Sequence, residues 1–312
     1  MEKPASAKKE KAGRVELDLS WYSGEDPYSD GSIEEKLLSI VRDSDPSDFL
    51  KIIAEENSWP VLYHLSHLRG NILCQAPLNK EKKVLEIGSG CGAITGTLAD
   101  MAGQVDCVEL TKSRSLINAC RNREKENIRI FVGDFEDMEP FLDRDYDVVT
   151  LIGVFAQACC FLHTRDPFRD FLRTAMSHIR PGGKLYIAIE NRLGLKYFAG
   201  CREEHSGKMF EGIEGYAPDA HVHTFSRGEW VKLLEECGYR NYTFYYPYPD
   251  YRFPFQIFSD MRLPRAGELN RNLNNLDQTR LLLFDEEKVW QSILDEGLFP
   301  QFSNSFLIEV EA

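Results

Sequence analysis

Val84-Leu-Glu-Ile-Gly-Ser-Gly-Cys-Gly92 is the stretch on which the reading of this chain turns. A short apolar run ends in three glycines at alternate positions, and the residues from Ala93 to Met101 then read as a helix. Glycines at a strand-to-helix turn let the backbone reverse sharply and let a ligand lie against bare main chain. Outward from this turn the alternation repeats. Residues 105–109, 128–132, 146–153 and 184–190 read as strands, and 113–123 and 167–179 as helices. The strand beginning at Tyr146 is almost wholly apolar, as a strand buried on both faces must be. Repeated βα units predict an α/β fold, a Rossmann-like, doubly wound and mostly parallel sheet with right-handed crossovers.

Beyond Asn191 the rhythm breaks. Ser226, with Glu229 three positions later, opens a helix over 225–238. Tyr242–Tyr246 and Phe306–Val310 read as two further strands, and 246–302 as an ordered cap insertion, since so long a structureless loop is rare in a domain. Upstream, residues 15–79 read as a helical cover. Ser32 caps one helix, 48–56 is a second, and Ser58-Trp-Pro opens a third, whose stripe Leu62, Leu65, Leu68 and Ile72 needs a surface to cover. Residues 1–14, rich in Lys and Glu, read as a disordered tail without the apolar core of a secretory signal.

The 312 residues carry 37 basic and 50 acidic side chains, a formal charge of −13. That balance argues against nucleic acid as the partner, because phosphate binding needs clustered cations. No run is long and apolar enough for a membrane span. Eight scattered cysteines without a C-x-x-C pair fit reduced thiols and a cytoplasmic setting, with Cys159-Cys160 packed in the core. His221-Val-His223 lacks an evident third ligand, so no metal is expected.

Glycine turns alone are ambiguous: Gly88-x-Gly90-x-x-Ala93 also satisfies a dinucleotide fingerprint. Three carboxylates discriminate. Glu109 ends the second strand, where it can accept from both ribose hydroxyls. Asp134 follows the third strand within reach of an adenine amino group. Glu86 is placed for a ligand ammonium and is a poor neighbour for a pyrophosphate. A zwitterionic amino-acid nucleoside fits this set.

The chain resembles the class I S-adenosylmethionine-dependent methyltransferases in Val84–Gly92, Glu109, Gly133-Asp134, Tyr146-Asp-Val-Val and Arg180-Pro-Gly-Gly-Lys-Leu. The resemblance covers 80–245 plus the terminal strand. It implies a seven-stranded sheet ending in an antiparallel hairpin, with S-adenosylmethionine as cofactor. Gly88, Gly90 and Gly92 would cradle the methionine part, with Ser89 and Leu110 beside them. Glu109 would take the ribose, Asp134 and Phe135 the adenine, and Gly153 would flank the sulfonium. Ile189-Glu-Asn-Arg-Leu-Gly-Leu-Lys-Tyr-Phe-Ala-Gly, Tyr28-Ser-Asp-Gly, Tyr63-His-Leu-Ser, Phe210-Glu-Gly-Ile-Glu-Gly-Tyr and Leu298-Phe-Pro are similar to methyltransferase modules found beside bacterial glycosyltransferases in surface-polysaccharide synthesis. That likeness implies a sugar or glycan hydroxyl as acceptor and a glycosyltransferase as partner. An N-methyltransferase of an amine or peptide, and a cofactor-binding scaffold in a glycan-assembly complex, are the alternatives.

A hydroxyl acceptor needs a proton acceptor within hydrogen-bond reach, and in open α/β sheets it must stand at the carboxyl ends of the strands. His163, Glu190 and His223 are the candidates for catalysis, and Asn191, Tyr216, Tyr248 and Tyr251 for acceptor contacts. Phe244 and Tyr246 read as packing. Arg69 either closes over the cofactor carboxylate or is an exposed helix-face residue.

Overall fold

The computed structural model of the chain describes residues 8–27, 29–217, 220–272 and 280–312, so Tyr28 of the motif Tyr28-Ser-Asp-Gly lies outside the described residues. The chain divides into two units, residues 1–151 with 174–184 and residues 152–173 with 185–312. These boundaries differ from the expected split at residues 80, 246 and 303.

The first unit carries β1 (Lys9–Ala12), β2 (Val15–Trp21), β3 (Lys83–Ile87), β4 (Gln104–Glu109), β5 (Ile128–Gly133) and β6 (Tyr146–Ile152, its last residue already in the second unit), in the order β1-β2-β5-β4-β3-β6. All neighbours from β2 to β6 run parallel. Val84, Leu85, Val105, Cys107, Val149 and Leu151 are fully enclosed, which is why these strands read as continuous apolar runs. Helices Thr95–Met101 and Lys112–Arg121 follow β3 and β4. The second of these starts at residue 112 because Asp26 accepts hydrogen bonds from the N–H groups of Lys112 (2.7 Å) and Ser113 (3.0 Å), satisfying two of the donors a helix start leaves open.

The amino terminus corrects two expectations. Lys9–Ala12 is a strand, not part of a disordered tail, and pairs antiparallel with β2 from Lys9↔Asp18 to Ala12↔Val15. Residues 15–21 form β2 and lie parallel to β5, where a helical cover was expected to begin. The physical reason is period two: Val15, Leu17 and Leu19 alternate and are all buried, a strand pattern. The charges of the tail suit an edge, where Lys9 meets Glu16 at 2.6 Å and discourages further strand addition. With these two strands and one more below, the described residues hold ten strands in place of the expected seven.

Helices Ser32–Asp43, Phe49–Glu56 and Trp59–Leu65 follow β2. Their apolar faces place Leu37, Val41, Phe49, Val61 and Leu65 in one core with Cys91 and Ile117, each such side chain contributing about 2 kcal/mol. Ser32 is not the cap of the first helix: Gly31 holds that position. Glu34 bends back to the N–H of Asp30 (3.2 Å) and the hydroxyl of Ser29 (2.9 Å).

In the second unit lie the latter half of β7 (Ile179–Glu190), β8 (Tyr242–Tyr248), β9 (Gln256–Ser259) and β10 (Ser305–Glu311), in the order β7-β10-β8-β9. β10 and β8 form the expected antiparallel pair, with Leu307 opposite Tyr245. β9 extends it antiparallel to β8. Phe244 and Tyr246 are fully buried, Tyr246 edge-on to Phe299 at 5.6 Å. Within 246–302 the structure has, after the end of β8, β9 and helices Glu286–Asp295 and Phe299–Phe302. The expected helix near 225–238 runs from Arg227 to Glu236, with the reciprocal Ser226–Glu229 cap in place. Cys160 is exposed and Cys159 half-buried, so this pair is not core packing: its short helical segment, Phe155–Cys160, kinked at Gln157, turns Phe155 inward instead. Among the described residues no helix is long and apolar enough to cross a membrane.

Candidate active site

In the first unit the predicted cofactor residues converge at the carboxyl ends of three adjacent parallel strands. Glu86 precedes the last residue of β3, Glu109 ends β4, and Asp134 follows β5. The turn after β3 is held by backbone hydrogen bonds, two of them to β4. The N–H groups of Gly88 and Ser89 donate to the carbonyl of Val108 at 2.9 and 3.1 Å, and that of Gly92 to Ser89 at 3.1 Å. Gly90 (φ +53°) faces open space where a Cβ would stand, whereas a Cβ on Gly92 (φ +77°) would meet Asn118 Oδ1 at 2.3 Å. The first glycine leaves room beside the main chain and the second admits the following helix. Leu110 follows Glu109 at the mouth of β4, and Phe135 is buried behind Asp134.

The carboxylates differ in their commitments. Glu109 accepts from the N–H of Gly90 (2.9 Å) and from the N–H and hydroxyl of Thr111 (both 3.1 Å), so it ties the glycine turn to β4. Burial raises its proton affinity, against the pull of Arg114 and those N–H donors. Asp134 accepts from the N–H of Glu136 at 2.9 Å as a helix cap. Glu86 is buried and accepts from Thr95 Oγ1 (2.6 Å) and Cys107 Sγ (3.5 Å). Desolvation pushes it up to about 7, with the Thr95 and Cys107 hydrogen bonds opposing. Asn118 in turn donates to Thr95 at 3.0 Å, so Gly92, Asn118, Thr95 and Glu86 form one connected set.

Arg69 corrects the exposed-face alternative. It is 4% exposed, its guanidinium lies 4.0 Å over the Tyr63 ring, and Nε and Nη1 are buried without a hydrogen-bond acceptor. The next residue, Gly70, packs so tightly on the helix after the glycine turn that a Cβ would meet Thr97 Oγ1 at 2.3 Å. A buried guanidinium lacking an acceptor is costly and marks a place for an anion. His64 feels this surplus of positive charge: desolvation first, then Arg114 and Arg69, push it down to about 4 and hold it neutral. The hydroxyl of Ser89 is likewise buried without a partner. The first unit therefore offers acids that could take an ammonium and a ribose, a guanidinium that could take a carboxylate, and a bare glycine turn. That set fits S-adenosylmethionine and misfits a diphosphate.

Sequence reasoning missed the segment that buttresses this site. Glu34 accepts from Ser113 Oγ and Arg114 Nε, both at 2.8 Å. Burial would raise its proton affinity, but these hydrogen bonds outweigh it and hold the carboxyl below the usual range. The partners are 79 and 80 residues apart, and no local pattern announces such a pairing.

In the second unit Gly153 (φ +76°) follows β6, and a Cβ there would meet Tyr251 Oη at 2.8 Å. Tyr251 donates that hydroxyl's proton to Glu190 Oε1 at 3.1 Å. Glu190 is buried and ion-paired with Arg252, which also meets Glu204; Lys196 joins Glu204 and reaches Asp250 at 2.8 Å. Burial alone would raise the proton affinity of Glu190, but Arg252 beside it holds the carboxyl well below the usual range. An acid so held is a poor proton acceptor, which corrects the expectation that Glu190 acts as a base. Arg252 and Lys196 were legible as letters, but not as partners of residues far along the chain.

The remaining candidates separate. His163 is exposed. His223 is half-buried, with Nε2 3.0 Å from the carbonyl of Ala220 and its ring 4.7 Å from that of Tyr216. Tyr216 is hydrogen-bonded to Thr224 Oγ1 at 2.6 Å. Asn191 donates from Nδ2 to the carbonyls of Gln301 and Ser303, both at 2.7 Å, and accepts from Leu193 N–H, so its amide clasps backbone and is not free for an acceptor. Tyr248 is buried and donates to Asn272 Oδ1 at 2.8 Å while receiving the N–H of Arg271; it too is committed to the fold. No group of three or more His, Cys, Asp or Glu side chains suited to a metal occurs among the described residues.

The pattern of a methyltransferase domain family matches residues 63–243. The chain is similar to a ubiquinone biosynthesis O-methyltransferase of Hydrogenovibrio crunogenus, 23% identical over 163 residues, which is 50% of this chain and 65% of that protein. It is also similar to a demethylmenaquinone methyltransferase of Tropheryma whipplei, 26% identical over 174 residues, 51% of this chain and 67% of the relative. Among solved structures, a SAM-dependent methyltransferase from Archaeoglobus fulgidus aligns with a TM-score of 0.48 at 15% identity, covering 80% of this chain and 96% of the other. The match spans just under two thirds of the length of the first of these relatives. On the family pattern, which takes in more than half of its residues, this chain belongs to the methyltransferase domain family.

Proposed function

We propose that the protein transfers a methyl group from S-adenosylmethionine to a hydroxyl of a sugar or another polar small molecule. The observation that carries the cofactor half is the coexistence, in the first unit, of the Glu86–Glu109–Asp134 acids with the buried, acceptor-less guanidinium of Arg69. A ligand bearing both an ammonium and a carboxylate would satisfy both. Glu86 would take the ammonium, Arg69 the carboxylate, Glu109 the ribose and Asp134 the adenine. The cofactor supplies a methyl group on a positively charged sulfur, ready for in-line displacement. The chain's own task is then to position the acceptor, exclude water and receive a proton.

For that proton His223 is the better candidate. If Nε2–H donates to the Ala220 carbonyl, Nδ1 carries the lone pair a general base requires. Glu190, kept anionic by Arg252, serves instead to orient the Tyr251 hydroxyl. Oxygen as the receiving atom is supported by the O-methyltransferase name of one relative. The sugar class and a glycosyltransferase partner rest on the motifs shared with polysaccharide-associated modules, and the cytoplasmic setting on the scattered thiols.

Calorimetric titration of the purified protein with S-adenosylhomocysteine and with NAD tests the cofactor half: binding of the first and not the second is expected, and the reverse refutes it. Incubation with methyl-labelled cofactor and fractionated cell glycans tests the acceptor. Label in a lipid or protein fraction and in no sugar fraction would overturn the sugar reading.

A further inference from the structure

The adjacent thiols of Cys159 and Cys160, in the second unit, have no task in methyl transfer. Cys160 is exposed and Cys159 half-buried, the one neighbouring pair among the eight cysteines. They end the segment Phe155–Cys160, whose backbone leaves helical geometry at Gln157 (φ −104°, ψ 27°). Partial burial, and after it the side chain of Cys159, raise the proton affinity of the Cys160 thiol. Little thiolate is then present at neutral pH, so the pair stays reduced until oxidant is in excess. The pair also holds a neighbour in place. Cys159 donates its thiol proton to the carbonyl of His221. Two residues on, the N–H of His223 donates to the carbonyl of Ala156 at 3.0 Å. These two hydrogen bonds pin residues 221–223 along Phe155–Cys160. With the rings of Phe168 (5.6 Å) and Tyr216 (4.7 Å) beside it, the His223 imidazole has a set position. One of the two pins is a thiol, and its proton is what oxidation removes.

We propose that Cys159 and Cys160 are a modification site for peroxides: oxidation closes them into a vicinal disulfide, releases His221 and moves His223. Exposure decides which thiol reacts first, since Cys160 meets solvent and Cys159 is held by the His221 carbonyl. The Cys160 sulfur attacks one peroxide oxygen, the O–O bond breaks, and a sulfenic acid and one water form. The Cys159 sulfur then displaces the sulfenic oxygen, which leaves as a second water. In all, two thiols lose two electrons and two protons, and one peroxide gains them. Adjacent Cα atoms stand about 3.8 Å apart, nearer than a relaxed disulfide prefers. Closure must therefore reshape the local backbone as well as consume the thiol proton that His221 accepts. Strained disulfides of this kind are also the readily reduced ones, which makes the change reversible. Its effect on methyl transfer rests on the reading of His223 as the base; the disulfide itself does not.

The test treats the full chain with hydrogen peroxide, removes the excess with catalase, and reads three quantities before and after reduction with dithiothreitol. Trypsin releases Asp145–Arg165, which holds Cys159 and Cys160 and no other cysteine; after oxidation this peptide should be lighter by two hydrogen atoms. The imidazole resonances of His223, assigned with His223→Gln, should move. Transfer of labelled methyl groups should fall by about tenfold or more, the cost of a misplaced base. Dithiothreitol should restore all three. Cys160→Ser keeps the Cys159–His221 hydrogen bond, so its basal transfer should match the parent and resist peroxide. No lighter peptide, oxidation to sulfinic acid alone, an unmoved His223, or equal loss of transfer in Cys160→Ser overturns the proposal. Should Cys160→Ser fold poorly, the peptide mass and the His223 resonances of the unaltered protein decide the matter. An unaltered protein that transfers no label counts against the methyl-transfer reading, and those same two readouts still test the disulfide.

Discussion

Glu86→Gln separates what stabilises the protein from what binds its ligand. Burial lifts the Glu86 carboxyl from the ordinary 4.5 up to about 7. In the unfolded chain the group loses its proton near 4.5, whereas the folded chain keeps it to about 7. Between these values the native state therefore holds more protons, and stability must fall as pH rises. Each tenfold change in proton affinity is worth about 1.4 kcal/mol, so ionised Glu86 costs the fold on the order of 3 kcal/mol above pH 7 and nothing below about pH 4.5. Glutamine does not titrate and still accepts from Thr95 and Cys107, whose donors define the site. In urea denaturation, Glu86→Gln should match the parent protein near pH 5 and exceed it by about 2–3 kcal/mol at pH 8. Calorimetry with S-adenosylhomocysteine at pH 8 should show the opposite, a loss of about tenfold or more in affinity, because the ammonium then meets an amide in place of a carboxylate. Parallel pH–stability curves for the two proteins would refute the titration argument. Unchanged affinity would refute the placement of the ammonium.

Other perturbations follow the same reasoning. Arg69→Met removes a buried guanidinium that has no acceptor, so the ligand-free protein should melt no lower than the parent, while S-adenosylhomocysteine affinity falls by about ten- to a hundredfold; a lower melting temperature with intact affinity would mean the arginine is structural. Gly92→Ala forces a Cβ onto Asn118 at 2.3 Å in a left-handed backbone and should destabilise by about 2–4 kcal/mol in urea denaturation, a shift under about 0.5 kcal/mol being the contrary result. Arg252→Leu leaves Glu190 and Glu204 without their shared cation and should destabilise by about 3–5 kcal/mol at neutral pH. Asp26→Ala uncaps helix Lys112–Arg121, for a loss of about 1 kcal/mol by the same denaturation assay.

What the sequence determined by itself is everything that local periodicity and turn chemistry encode. Residues Val84 to Gly92 announce a strand, a glycine turn and a helix because an apolar strand buried on both faces has few other spellings, and β3, β4, β5 and β6 follow from the same rule. Glu109 and Asp134 could be placed because one ends a strand and the other directly follows one, and the end of a strand fixes where these side chains emerge. The Ser226–Glu229 cap was legible because both partners lie within one turn. The strand Val15–Trp21 carried its own period-two signal, yet the lysines before it resemble a tail until β1 and β2 are seen to pair. Tertiary structure alone decided the rest. That Arg69 is buried without an acceptor, that Glu190 is ion-paired with Arg252 across 62 residues, and that Glu203 keeps an unpaired oxygen all depend on which distant groups the fold brings within hydrogen-bond reach. A charged residue has one spelling whether it is solvated, paired or orphaned, and only its surroundings set its energy.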